Sequence, residues 1–333
     1  MGSSISQACS KLLADTRHYA PMYGHRQANH LPMALVALDR LGADPPTLSG
    51  FAERYVRRLR LRPAARAALD PHEYLGSADD FARFAAFFEQ RISESGLDAV
   101  LRDWMPVLMP GLAGAAFHAL IRFGYAVDTA IEGEIAHALA FWASEYVCLP
   151  LSLDPAQGTL EEIAVRLRSR VASYTLEPGI ITDKLLEISW HPALAGPVLQ
   201  PKEPPGLEQI ARFALEAYRK HADFTLLHVL IACHAFRLAL PYASDKALAL
   251  RYMWQGALVA YLTVVPPAQP GEQDLLPDAE LTERDIAALA MRAEDDHVTR
   301  LCYAALSEWR QYGEPAYLQV AARSLAQAGL LDS

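Results

Sequence analysis

The sequence predicts an all-α protein, a single large multi-helix domain over residues 1–333. Three observations carry that prediction. Apolar residues recur at helical spacing along most of the chain, which places them on one face of a helix. Start and stop signals punctuate the runs, as with Asn29 ahead of Pro32 and Gly42 behind Leu41. Strand-like alternation is almost absent, and no internal repeat is convincing.

Taken in order, residues 5–20 are weakly helical, and Asn29 caps a helix that stops at Gly42. Leu48 to Leu69 reads as a basic amphipathic helix whose Arg54, Arg57, Arg58, Arg60 and Arg62 form a solvated face. Asp79 to Glu94 carries a stripe of Phe81, Phe84, Phe87 and Phe88, suited to core packing or to the wall of a pocket for a flat ligand. A short segment from Val100 to Pro110 precedes apolar helical runs over Gly111 to Tyr125 and Glu132 to Tyr146. Loops near 149–158 and 201–206 bracket a middle segment with His191, and a subdivision of the domain would fall at 200–206. His221 to Leu240 is apolar nearly all round and ends at Pro241, which predicts a buried central helix. An apolar helix over 246–264, a proline-rich loop through 266–271 and a last long helix holding Ala290 to Ala304 follow.

Apolar residues make up 52% of the 333, enough for a sizeable core and against wholesale disorder. The formal charge of −9, with no basic block, argues against a nucleic-acid or anionic-membrane surface as partner. Cys9, Cys148, Cys233 and Cys302 are scattered, as expected of reduced core thiols in a cytoplasmic protein. Signal-peptide and membrane-span patterns are lacking, as are a P-loop, a strand-linked G-x-G-x-x-G and a nucleophile elbow.

What does recur is histidine among small residues. On the central helix His221, Thr225, His228, Ala232, Ala235 and Ala239 share one stripe, while His234 points elsewhere. A buried histidine there has room in front of it, and its ring nitrogens need partners. His30 falls at a helix N-terminus, where the dipole favours the neutral ring. His118 shares a face with Gly111, Gly114, Ala115, Arg122 and Tyr125, and His297 lies among Ala290, Ala293 and Ala304. Four neutral imidazoles from four segments suit iron, zinc, copper or nickel better than magnesium or calcium. Taken singly, each reads first as an ordinary core or surface histidine. A rival metal arrangement joins Glu134-Ile-Ala-His137 to Glu294-Asp-Asp-His297 as the two Glu-x-x-His pairs of a di-iron bundle, with Glu53, Glu89 or Glu216 completing it.

Four segments in order, Asn29-His30-Leu-Pro-Met-Ala-Leu35, Phe117-His118-Ala-Leu-Ile-Arg-Phe-Gly-Tyr125, Asp223-Phe-Thr-Leu-Leu-His228 and Asp295-Asp-His297-Val298, resemble the questin oxidase family. The resemblance implies an oxygenase that oxidises or cleaves an aromatic polyketide ring, such as an anthraquinone, with O2. It also implies a mononuclear non-haem metal, Fe(II), on His30, His118, His228 and His297. NADPH, used directly or through a separate reductase, is the candidate electron source. Tyr125 and Arg122, on the His118 face, are candidates to orient substrate or stabilise an oxyanion. One departure from the family pattern concerns a ligand. A lysine that could carry a carbamate is expected within a turn of the last histidine, and this chain, with only five lysines, has Arg300 there. Arginine forms no carbamate, which leaves water, Glu294 or Asp296 for that place. Two alternatives stay open: a metal-independent, NADPH-linked Baeyer–Villiger enzyme, and a non-catalytic helical ligand-binding or accessory protein.

Overall fold

The computed structural model describes residues 4–64, 70–264 and 281–331, and 66% of the chain is helical. The fold is all-α. Among the described residues the strands are two pairs of two residues each. Met22–Tyr23 and Gln27–Ala28 form a small antiparallel hairpin, and Pro155–Ala156 runs parallel to Gln200–Pro201.

Local signals set the helix boundaries. Ser6 caps α1 (Gln7–Thr16), with its hydroxyl accepting from the Cys9 N–H. In α2 (Leu31–Leu41) Pro32 sits in the first turn and Gly42 ends the helix in the left-handed conformation. Asp44 caps α3 (Pro45–Val56). Gly96, at φ +80, separates α4 (Phe81–Ser95) from α5 (Leu97–Leu108). Next come α6 (His118–Thr129), α7 (Glu132–Ser144), α8 (Leu160–Val171), α9 (Ile181–Ser189) and α10 (Leu207–His221). The chain closes with α11 (Phe224–Ala239), α12 (Lys246–Thr263), α13 (Glu283–Ala290), α14 (Asp296–Tyr312) and α15 (Ala316–Gln327).

The core is organised around α11, which packs against α6, α10, α12 and α14. Phe224–Tyr242 is long and apolar enough to cross a membrane. Its side chains from Thr225 to Phe236, however, are all buried inside the fold, as the central-helix reading requires. The contact between α6 and α11 is unusually close at Gly124, where a Cβ would come within 2.6 Å of the Ala235 Cα. A second layer forms where α2 packs on both α6 and α14. The N-terminal ends of α2, α6, α11 and α14 supply His30, His118, His228 and His297.

The structure moves several of the expected boundaries. The central helix starts at Phe224 because the Asp223 carboxylate accepts from the Thr225 and Leu226 N–H groups; His221 instead ends α10, and the chain turns at Ala222 with φ +47. The run from Gly111 to Tyr125 is not one helix. Ala115, Ala116 and Phe117 lie at φ +47, +57 and +67, and α6 begins only at His118. Three consecutive left-handed residues that are not glycine cost roughly 1–2 kcal/mol each, so tertiary packing must hold them. The last long helix divides into α13 and α14 because Asp295 caps a new helix. The basic helix expected to reach Leu69 ends at Val56. Residues 65–69 and the loop through 266–271 lie outside the described residues.

Candidate metal centre

Each histidine is placed by its own helix end. His30 sits at the N-cap of α2, where its N–H donates to the Tyr55 hydroxyl at 2.9 Å. His118 is the first residue of α6, set by the left-handed turn before it. His228 lies one turn into α11, and His297 lies in the first turn of α14. Their rings close a circle. Centroids are 4.6 Å apart for His30 and His118, 4.7 Å for His118 and His228, 5.6 Å for His228 and His297, and 4.8 Å for His297 and His30. The first three are buried and His297 is half-buried.

The hydrogen bonds of this circle decide which nitrogens are available. His118 Nδ1 is 2.6 Å from the Ala115 carbonyl oxygen, and His228 Nδ1 is 2.7 Å from that of Phe224. A carbonyl only accepts, so both rings carry their proton on Nδ1 and leave the Nε2 lone pair free. His297 Nδ1 is 2.9 Å from Asp295 Oδ1, and His30 Nδ1 is 2.7 Å from Asp296 Oδ2. Oxygen partners at Nδ1 are the arrangement that orients metal-bound imidazoles.

Burial keeps the His30, His118 and His228 rings neutral. It pushes His30 down to about 3, helped by Arg300, and holds His118 and His228 well below the usual imidazole range. Burial alone would raise the Asp296 carboxyl, but His30 and the permanently charged Arg300 outweigh it and hold it well below the usual range. Arg300 is fully buried, and its Nη2 lies 3.0 Å from both Asp296 Oδ2 and His30 Nδ1.

The donor set fits a transition metal. Two imidazole nitrogens bound at right angles to one ion at about 2.1 Å stand about 3.0 Å apart; Nε2 of His30 and Nε2 of His118 are separated by 2.8 Å. Donor atoms of His30, Asp296 and His297 all lie within 4.8 Å of one another. Of the carboxylates that the missing lysine left in play, Asp296 lines the cavity but is committed to His30 and Arg300. Glu294 is exposed and stands outside the lining.

A cavity of about 680 Å³ opens in front of the circle. All four histidines line it, with Tyr23 and Met22 from the hairpin and Phe224 from α11. Phe224 also packs against the rings of His228 and His297.

Tyr125 and Arg122 do not reach this cavity, which corrects the role expected for them. They follow His118 by seven and four residues, about 10 and 6 Å further along the helix, so sharing a face carries them away from its N-terminus. The Tyr125 hydroxyl donates to the Arg300 carbonyl at 3.5 Å, and its ring packs on His234 and Tyr303. Arg122 is buried with its guanidinium over the Phe141 ring, and burial lowers it to about 10. The two Glu-x-x-His pairs are not assembled either. His137 Nε2 is 2.9 Å from Glu89, Glu134 is 2.8 Å from Arg17, and of the two pairs only His297 lines the cavity. His234 is bound to Glu308 at 3.0 Å, away from the circle. Sequence reasoning missed the cavity's outer wall, including Glu145, Arg26, Arg58 and Lys184. These residues carry no shared spacing that could have flagged them.

Fold and site together define an all-helical protein with a histidine-walled small-molecule cavity. The profile of the questin oxidase-like family matches residues 27–202, more than half of the chain, and the chain belongs to that family. The matched span holds His30 and His118, while His228 and His297 come from beyond it. Among characterised proteins the chain is similar to a Baeyer–Villiger oxidase, AgnL3, of Paecilomyces divaricatus, with 27% identity over 161 residues. That alignment covers 43% of this chain and 35% of the relative, about a third of its length.

Proposed function

We propose that this protein is an oxidoreductase, an oxygenase that uses O2 to oxidise or cleave a flat aromatic polyketide of the anthraquinone type, with a mononuclear non-haem metal, Fe(II), held by His30, His118, His228 and His297. The observation that carries the reading is the convergence of four imidazoles on one cavity, each with Nδ1 occupied by an oxygen partner. Family membership and the Baeyer–Villiger relative support the oxidative class. When bound, the metal supplies the one-electron chemistry that makes O2 reactive.

The chain's own residues do the rest. Asp296 and Arg300 fix the His30 ring, and the Ala115 and Phe224 carbonyls fix His118 and His228. The cavity volume falls within the roughly 300–1,000 Å³ range of small-molecule sites, and Phe224, Tyr23 and Met22 offer apolar surface to a ring system. Reducing equivalents come from NADPH, directly or through a separate reductase. One observation favours the metal-independent alternative. If Arg300 donates to His30 Nδ1, His30 can donate its Nε2–H to His118, which closes the network without an ion.

The test is oxygen consumption by Fe(II)-loaded protein supplied with a hydroxyanthraquinone and a reductant. Consumption that depends on the aromatic and disappears in His228→Ala supports the reading. Equal consumption by metal-free protein with NADPH selects the alternative.

A further inference from the structure

Four acidic residues line the cavity, and three are already engaged. Asp223 accepts from the Thr225 and Leu226 N–H groups, Asp295 from His297, and Asp296 holds His30 and Arg300. Among the hydrogen bonds and ion pairs of the described residues, none engages the carboxyl of the fourth, Glu145. Its backbone is nonetheless held tightly. A Cβ on Gly114 would come within 2.2 Å of the Glu145 carbonyl oxygen, so the two segments are in direct contact. Gly114 leads into the left-handed turn whose Ala115 and Ala116 line the cavity and whose end presents His118. Glu145 is thus a half-buried residue of the cavity lining whose backbone packs against the turn that leads to His118.

The opposite charge is present in the same cavity lining. Arg26, Arg58 and Lys184 line the cavity; Arg26 pairs with the exposed Asp183, and Arg58 lies over the Tyr55 ring. Among the described residues neither Arg58 nor Lys184 forms an ion pair with a carboxylate.

We propose that Glu145 is the acid–base residue of this cavity, taking the proton from a ring hydroxyl of a bound phenolic substrate while Arg26, Arg58 and Lys184 hold the phenolate. The inference rests on the aromatic-substrate reading above. The step is a single proton transfer: the phenol O–H bond breaks, its electron pair stays on the ring oxygen, and the Glu145 carboxylate becomes the acid. Burial pushes the Glu145 carboxyl up to about 7 against the pull of Arg26, so near neutral pH it can both accept and return a proton. The other titratable groups around the same space are the four histidines, Tyr23, Asp223, Asp295 and Asp296.

Alizarin, a hydroxyanthraquinone whose anion absorbs to the red of its neutral form, reports the step directly. Its spectrum is recorded against pH, anaerobically, on wild type, Glu145→Gln and Glu145→Asp, each metal-loaded and metal-free, so that chelation by its vicinal hydroxyls is separated from ionisation. Wild type should bind alizarin saturably and ionise it near neutral pH. In Glu145→Gln the ionisation midpoint of bound alizarin should fall by on the order of one pH unit, because a carboxylate beside the ring oxygen opposes a second negative charge, with metal content unchanged, and Glu145→Asp should restore part of the shift. Binding with the same midpoint in wild type and Glu145→Gln overturns the assignment of Glu145 alone. Absence of saturable binding to wild type overturns the aromatic-substrate reading, and the proposal with it.

Discussion

Nε2 of His30 faces Nε2 of His118 at 2.8 Å, while the opposite nitrogen of each ring lies within 2.7 Å of an oxygen. With both protons on Nδ1, two lone pairs point at each other across that gap. Such a contact between neutral rings is unfavourable unless a cation lies between them. A bound cation would remove that repulsion, and so would a proton on His30 Nε2 donated to His118 with Arg300 donating to His30 Nδ1.

Asp296 is the most sensitive of those oxygens, because it orients His30 and neutralises Arg300. Asp296→Asn should weaken metal binding by about 10–100-fold, the usual effect of losing a partner behind a ligand. Equilibrium dialysis of folded protein measures it. Unchanged affinity would show that Asp296 does not set the ring.

Gly124 governs the separation of α6 and α11, the helices that carry His118 and His228. A methyl group there meets the Ala235 Cα at 2.6 Å and its carbonyl oxygen at 2.6 Å, backbone atoms that cannot step aside. Gly124→Ala should destabilise the fold by about 1–3 kcal/mol through overpacking. It should also reduce metal occupancy by pushing the two rings apart. Urea denaturation and metal analysis on the same sample test both effects; a variant with wild-type stability would place the helices further apart than described.

Acid should destabilise the metal-free protein in a defined direction. His30 is lowered to about 3, and His118 and His228 are held well below their ordinary value, chiefly by burial. Unfolded, each titrates near about 6.5. Between those limits the unfolded state binds more protons, so stability is full above the unfolded value and falls as pH drops through it. The melting temperature should decline from neutral pH toward pH of about 4. His118→Gln, with one fewer such group, should decline less steeply; equal slopes would mean His118 is not buried neutral.

The fold was legible because helical periodicity is a local signal repeated along the chain, and because signals such as Pro32 in the first turn and Gly42 at the stop act over a few residues. His30 and His228 were legible locally, one at a helix N-terminus and the other on a small-residue face of α11. The faces read for His118 and His297 run through the turn at Ala115–Phe117 and the break between α13 and α14, so the approach of those two rings comes from tertiary structure. The break at Ala115–Phe117 was not legible, since alanine and phenylalanine have no local preference for positive φ and the turn is imposed by packing. Tyr125 shows the limit of face arguments, which fix direction around a helix and say nothing of distance along it. Glu145, Arg58 and Lys184 meet only through tertiary structure, so nothing in their spacing announces the wall they share.

The most direct test is the metal content of protein purified without chelator, compared across His30→Ala, His228→Ala, Glu134→Gln and His137→Gln. Glu134 and His137 are committed to Arg17 and Glu89 outside the cavity, so their variants should retain about one metal per chain, as should wild type. His30→Ala and His228→Ala should lose most of it while staying folded. Two metals per chain that disappear with Glu134→Gln, or wild-type protein that takes up none, would contradict the four-histidine centre.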